Sequence, residues 1–159
     1  DHKIVILDSR DYSNQIHHVI LKTNEVESAR LNGIDANPNH SFTAQEIIQF
    51  GKSLFNKNKK PIFISRGEYG SICVDENGAV QIPGIHIVNE TDSVGAGDTM
   101  VSALACCLAA LFSPPEAGHF ANYASAVTVQ KRFQTGTATG EEITEFAKKA
   151  RFICKKEQV

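Results

Sequence analysis

The sequence lacks several features that mark common classes of protein. Its longest apolar run, Ala103 to Phe112, is well short of the roughly 20 residues that cross a bilayer. We therefore predict neither a membrane span nor a signal peptide. No Lys/Arg cluster is larger than Lys57-Asn58-Lys59-Lys60, and 16 basic against 18 acidic residues give a formal net charge of -2. We expect no nucleic-acid partner and no membrane partner.

Cysteine is sparse and lacks the spacing of a metal or redox site. Cys73, Cys106, Cys107 and Cys154 include no Cys-x-x-Cys pair and no histidine spacing suited to zinc. All four stand in apolar surroundings, so we predict buried thiols in a reducing compartment, the cytoplasm.

What is present indicates an α/β protein. The chain has 159 residues, 42% of them hydrophobic, which is enough for a real core. Apolar runs at Lys3–Leu7 and Ile62–Ser65 predict buried strands, the first of them parallel, and Val19–Leu21 is a further apolar stretch ahead of a predicted helix. Helical patterns between and after these runs predict a layered sheet with helices on its faces.

An antiparallel edge is predicted by residues 71–88. The run Ser71–Asp75, an Asn77-Gly78 turn and the run Ala79–Ile82 are typical of a hairpin, and Ile85–Val88 reads as a further strand. Their alternation predicts one solvent-facing side of the sheet.

The helices have recognisable beginnings. Asn24, Thr43, Ser113 and Thr139 each precede a glutamate by three residues, which is the pattern of a capping box. We predict core faces for the helices that follow, including Ile47, Phe50, Leu54 and Phe55 in one helix and Ala117, Phe120, Ala121, Ala124 and Val127 in another. The segment from Thr99 to Phe112, rich in alanine, predicts a helix buried on most sides.

The stretch from Thr91 to Thr99 is the strongest candidate for a functional site. Gly95 and Gly97 allow a tight bend where a helix begins, and the first amides of a helix favour an anion. Asp98 beside them can accept a proton from a hydroxyl. Met100 replaces the third glycine of a dinucleotide motif, and no Gly-Lys-Ser/Thr follows. The alternative is a tight turn in which Asp98 only favours the helix dipole.

The string from Asp92 to Asp98 resembles the C-terminal signature of the ribokinase/PfkB family of carbohydrate kinases. The resemblance implies a layered α/β/α ribokinase-like fold with a mostly parallel sheet and phosphorylation of a sugar or sugar-phosphate hydroxyl by ATP. It also implies that Asp98 is the catalytic base and that the amides of Gly95, Ala96 and Gly97 form the anion hole.

The pair Asn24 and Glu27 has two interpretations of equal standing. It has the form of a capping box, and it resembles the family's Asn-x-x-Glu motif, which organises magnesium and its waters near the phosphates. A helix N-terminus can serve both purposes.

Other segments resemble the family's nucleotide site. Ser65 and Gly67 would lie beside the phosphates, although an ordinary glycine turn explains them locally. Asn122 would border the adenine, with a solvent-facing side chain as the alternative. The loop containing Thr135 and Gly136 would also bound the adenine. With loop carbonyls, Asp92 could hold a monovalent cation such as K⁺.

The resemblance covers only the C-terminal half of such a kinase. Residues 1–159 would be its nucleotide-binding and catalytic part, and the sugar-binding half and lid would lie upstream. We therefore expect the chain alone to be inactive and to form homo-oligomers through exposed apolar surface. Asp8-Ser9-Arg10, residues 129–131 and residues 135–139 look most like heptose-phosphate kinases. The alternative is a nucleotide-binding or assembly module without catalysis.

Overall fold

The fold is built on a mixed β-sheet, seen in a computed structural model that describes residues 3–9, 12–88, 90–131 and 137–153. The five strands of these ranges follow one another in space in the same order as in sequence. They are β1 (Ile6–Leu7), β2 (Ile20–Asn24), β3 (Ile62–Ser65), β4 (Gly70–Asp75) and β5 (Gly78–Pro83).

Strand direction changes at β3. β1 and β2 pair in parallel, with Ile6 opposite Ile20, and β2 and β3 also pair in parallel. β4 runs antiparallel to β3 and to β5, so the predicted hairpin lies at the edge of the sheet. The predicted α/β class and the antiparallel edge hairpin are both confirmed.

The helices cover both faces of this sheet. They are α1 (Glu25–Leu31), α2 (Ala44–Asn58), α3 (Ala96–Ala109), α4 (Pro114–Thr128) and α5 (Gly140–Ala147), and a 3₁₀ helix spans Gly67–Tyr69. Alternate side chains of β3 enter separate cores. Ile62 and Ile64 pack with α1 and α2, whereas Phe63 packs with α3 and α4. The layered α/β/α prediction therefore holds.

Capping boxes begin four of the described helices, as predicted. Asn24 with Glu27 begins α1, Thr43 with Glu46 begins α2, and Thr139 with Glu142 begins α5. At α4 the Glu116 carboxylate accepts the Ser113 backbone N–H at 2.9 Å. Each box satisfies helix amides that have no partner inside the helix.

Two strand predictions need correction. Of the predicted strand from Lys3 to Leu7 only the last two residues pair, and Ile4 and Val5 are exposed because β1 is the edge of the described sheet. Residues 85–88 form no strand, and Ile85 makes a single bridge to Phe152. The solvent-facing side predicted for the hairpin is present only on β5, where Val80 and Gln81 are exposed, whereas β4 is buried along its whole length between helices.

Three predictions for helices and cysteines also need correction. Phe120 is exposed rather than in the core, and α3 begins at Ala96 rather than Thr99. Cys106 is exposed, whereas Cys73 and Cys107 are buried as predicted. Burial raises the pKa of the Cys73 thiol to about 12. Cys154 lies outside the described residues.

None of the helices that the structure describes is both long and apolar enough to span a membrane.

Gly84 should tolerate no side chain. A Cβ at this position would lie 1.8 Å from the Glu68 carbonyl oxygen, and backbone atoms cannot yield as a flexible side chain does. We expect Gly84→Ala to lower the free energy of unfolding by about 1–3 kcal/mol, measured by urea denaturation. Gly140→Ala is the matched control, because a Cβ there meets nothing within 4 Å. Equal stability of the two variants would contradict the expectation.

Candidate functional site

The first turn of α3 has the backbone geometry of an anion site. Gly95 is the N-cap residue with a φ of 80°, a left-handed conformation that glycine adopts without steric cost. The sequence folds this way because a glycine precedes a long run of helix-forming, apolar residues.

The amides of this turn are only partly engaged. The N–H of Ala96 donates to the Ser93 carbonyl at 3.2 Å, so the structure ties one of the three predicted anion-hole donors into a turn. Within the described ranges, the N–H groups of Gly95, Gly97 and Asp98 have no hydrogen-bond acceptor. Unpaired amides at a helix N-terminus favour phosphate or a developing negative charge.

The Asp98 side chain is exposed on this first turn. It is one residue beyond Gly97 and therefore about 100° farther around the helix axis. Gly97 lines a cavity next to this turn, whereas Asp98 does not. A carboxylate in this place is open to an approaching hydroxyl.

Helix α4 fixes the start of α3. The Ser125 hydroxyl donates to the Ala96 carbonyl at 3.2 Å, and the hydroxyls of Thr99 and Thr128 are 3.1 Å apart. Thr128 is almost fully buried. These bonds hold the anion-binding turn against a packed helix, which gives it a defined position before any ligand arrives.

A cavity of about 450 Å³ joins the anion-binding turn to the antiparallel edge. Five predicted site residues line it, namely Ser65, Gly67, Ala96, Gly97 and Asn122. The predicted nucleotide residues of three separate sequence segments therefore meet in one place.

A second cavity, of about 540 Å³, adjoins the first at the end of β3. Asn24 and Glu27 line it, and it shares Ser65 and Gly67 with the first cavity. The predicted magnesium-organising residues and the predicted phosphate-binding residues therefore lie on opposite sides of one strand end.

The capping interpretation of Asn24 and Glu27 is confirmed. The Glu27 N–H donates to Asn24 Oδ1 at 2.8 Å, and the Asn24 N–H donates to Glu27 Oε2 at 2.9 Å. The role with magnesium stays a prediction. Across the described residues no group of three or more His, Cys, Asp or Glu side chains comes together. Magnesium is commonly bound by one or two carboxylates together with phosphates and water, which suits this donor set.

Asn122 and Ser65 make structural hydrogen bonds from the cavity wall. Asn122 Nδ2 donates to the Pro83 carbonyl at 3.0 Å, and Asn122 Oδ1 accepts from the Ser71 hydroxyl at 3.3 Å. The Ser65 hydroxyl donates to the Thr23 carbonyl at 3.2 Å. The Asn122 amide therefore attaches α4 to the hairpin, and its contact with adenine stays a prediction.

Asp92 lies where α4 ends. Its N–H donates to the Val129 carbonyl at 2.8 Å, and its Oδ1 accepts the Val94 N–H at 3.0 Å. Thr135 and Gly136, predicted to bound the adenine, lie outside the described residues.

Lys131, which precedes Thr135 and Gly136 in the sequence, contacts two residues that follow them. Its Nζ is 2.6 Å from Glu142 Oε1 and also donates to the Thr137 carbonyl. The Lys131 hydrogen bond lowers the pKa of the Glu142 carboxyl, so this carboxylate is charged at neutral pH.

Two cationic residues near the site, Lys22 and Arg66, were not singled out in the sequence. Lys22 on β2 is 7% exposed, and its Nζ is 2.9 Å from Asp8 Oδ2. Lys22 could have been identified from the sequence by its position inside the apolar run of β2, because buried lysines are rare. Arg66 donates from Nε to Glu25 Oε1 at 2.7 Å and so ties the end of β3 to the start of α1.

Comparison with known proteins agrees with this geometry. The mixed sheet with helices on both faces defines an α/β protein, and the start of α3 has amides without an acceptor among the described residues, which is a common feature of phosphate sites. The family model described as pfkB family carbohydrate kinase matches residues 2–141, and the chain belongs to this family.

Individual relatives are similar over most of this chain. Bifunctional protein HldE from Bradyrhizobium diazoefficiens is 32% identical over 143 residues, which are 87% of this chain and 28% of that protein. Phosphofructokinase-2 from Escherichia coli, solved in complex with potassium, superposes with a TM-score of 0.74 at 22% identity over 89% of this chain and 45% of that one. Ribokinase from Thermotoga maritima gives 0.72 at 21% identity over 93% and 50%. The chain thus spans about half or less of the length of these relatives.

The Asn122 amide should stabilise the cavity wall. We expect Asn122→Ala to lower the free energy of unfolding by about 1–2 kcal/mol, because the bonds to Pro83 and Ser71 are lost. Chemical denaturation measures this change. Asn56→Ala on the exposed face of α2 is the control, with an expected change within about 0.5 kcal/mol. An unchanged free energy of unfolding in the Asn122 variant would contradict a stabilising role for this side chain.

Proposed function

We propose that this chain is the nucleotide-binding and catalytic part of a kinase that transfers a phosphoryl group from ATP to a sugar or sugar-phosphate hydroxyl. One observation carries the proposal. The exposed carboxylate of Asp98 and the N–H groups of Gly97 and Asp98, which have no acceptor among the described residues, occupy one helix turn, and Gly97 lines the first cavity. Family membership supports the same conclusion.

The first cavity fits a nucleotide in size and in chemistry. Its volume of about 450 Å³ is within the range of small-molecule sites, roughly 300–1,000 Å³. Free amides at one end suit phosphates. In this proposal Ser65 and Gly67 lie beside the phosphates, and Asn122, Thr135 and Gly136 lie around the adenine.

Glu27 and Asn24 are proposed to organise magnesium through its waters, and Asp92 to contribute to a monovalent cation site. A half-buried carboxylate and an amide oxygen are hard oxygen ligands of the kind that magnesium prefers. Phosphofructokinase-2 from Escherichia coli was solved with potassium, which supports a K⁺ site. Bound to the nucleotide, magnesium would neutralise charge on the phosphates.

Different residues of this chain would have different roles in the transfer of the phosphoryl group. Asp98 accepts the proton of the acceptor hydroxyl, whose oxygen forms a bond to the terminal phosphorus as the bond to the leaving diphosphate breaks. The Gly95 and Gly97 amides hold the charge that develops on the transferred group. Because phosphoryl transfer depends on positioning, the bonds from α4 that fix this turn contribute to rate.

The acceptor is proposed to be a heptose phosphate, from the resemblance of residues 8–10, 129–131 and 135–139. The sugar-binding residues are expected outside the described site. Location in the cytoplasm and assembly into homo-oligomers belong to the same proposal.

Asp98→Asn should nearly abolish phosphorylation, because an amide cannot accept the proton of the acceptor hydroxyl. We expect the turnover number of the complete protein to fall roughly 100- to 10,000-fold. ATP should still bind, as measured by calorimetry. Normal turnover in this variant would exclude Asp98 as the base.

Glu27→Gln should raise the magnesium concentration needed for half-maximal rate, by roughly 10- to 100-fold. The two capping boxes of α1 and α2 offer a matched control. Glu46→Gln removes the same kind of capping carboxylate from α2, away from both cavities. Its magnesium dependence should equal that of the unchanged protein. Equal behaviour of the two variants would leave Glu27 with a capping role only.

A further inference from the structure

Lys22 is a buried cation whose place packing does not explain. It lies on β2 with a side chain only 8% exposed, and its Nζ is 2.9 Å from Asp8 Oδ2. Among the described residues Asp8 is the one hydrogen-bond acceptor of this ammonium, which has three donor hydrogens. Among the residues that the structure describes, the other two donor hydrogens of this lysine have no acceptor.

The ammonium also lies against the first turn of α3. A Cβ added to Gly97 would be 3.3 Å from Lys22 Nζ, and Lys22 Nζ is the nearest atom such a Cβ would meet. The N-terminus of a helix already carries partial positive charge and disfavours cations. A buried lysine at this end of α3 is therefore electrostatically unfavourable. The carboxylate of Asp8 balances the charge of the ammonium but not the partial positive charge of the helix N-terminus.

Stability does not account for the ion pair either. Burying the Lys22 ammonium costs desolvation free energy, and water screens its attraction to Asp8, whose side chain is 28% exposed. Sites that break such local rules are commonly functional. Amides without a described acceptor and the Lys22 ammonium beside Gly97 give the start of α3 a positive potential that an anion would neutralise.

We propose that Lys22 contacts the terminal phosphate of a bound nucleoside polyphosphate, together with the N–H groups of Gly97 and Asp98. Asp8 is the positioning residue that holds the lysine in this orientation. A glycine at position 97 leaves room for the ammonium, because a Cβ there would be only 3.3 Å from Lys22 Nζ. This inference rests on the proposed function, since it names a further residue of the same nucleotide site.

The test compares Lys22→Met with Lys148→Met in calorimetric titrations with ATP and with AMP, both with magnesium. Methionine keeps the length of lysine without its charge. We expect Lys22→Met to weaken ATP binding roughly 10- to 100-fold and to leave AMP binding unchanged, because AMP lacks the terminal phosphate. Lys148 is 61% exposed and paired with Glu145, so its variant should bind both nucleotides normally.

Asp8→Asn extends the test to the positioning residue. The loss should again be confined to ATP, which a purely structural defect would not produce. A variant Lys22→Met that binds ATP as tightly as the unchanged protein would overturn the role of Lys22. In that case the proposed function would stand, provided that the unchanged protein binds ATP. If the unchanged protein binds no ATP, the proposed function and this inference fail together.

A measurement on the unchanged protein avoids any dependence on whether Lys22→Met folds. With ¹⁵N-labelled lysine, the Nζ signal of a buried ammonium can be followed by NMR during titration. We expect the Lys22 signal to shift with ATP and not with AMP. An unshifted Lys22 signal at saturating ATP would contradict the contact.

Discussion

The hydrogen bonds between α4 and the first turn of α3 are the constraint on which the candidate site depends. An unpaired helix amide is normally satisfied by water or a cap, and it binds a ligand well only if its direction is fixed in advance. Ser125 and Thr128 supply this fixation from a helix that is itself packed on the sheet. Without α4, Gly95 would leave the turn free to sample many conformations.

The position of the two cavities follows from the change of strand direction at β3. The parallel strand β2 delivers Asn24 to the same edge at which β3 ends with Ser65. The antiparallel hairpin then returns the chain past this edge, and Asn122 attaches it to α4. One strand end therefore serves as the common wall of both cavities, with carboxylates on one side and free amides on the other.

Local patterns predicted much of this arrangement, because capping boxes and the Asn-Gly turn act over a few residues. Asn24, Thr43 and Thr139 cap helices as predicted, and the hairpin pairs as predicted. The errors arose where burial depends on distant neighbours. Val5 has the composition of a core strand but lies at an edge, and Phe120 lies on the exposed side of α4. The Lys22–Asp8 pair joins β1 to β2 and meets α3 only in three dimensions.

The capping box of α1 has an energetic consequence beyond the start of a helix. Glu27 Oε2 accepts the Asn24 N–H at 2.9 Å and closes a helix of only 7 residues, which is too short to be stable without tertiary support and caps. Any cation that draws this oxygen away competes with the cap. Cation binding at this carboxylate, as proposed, would therefore be thermodynamically linked to order in α1: binding would weaken the cap, and a weakened cap would favour binding.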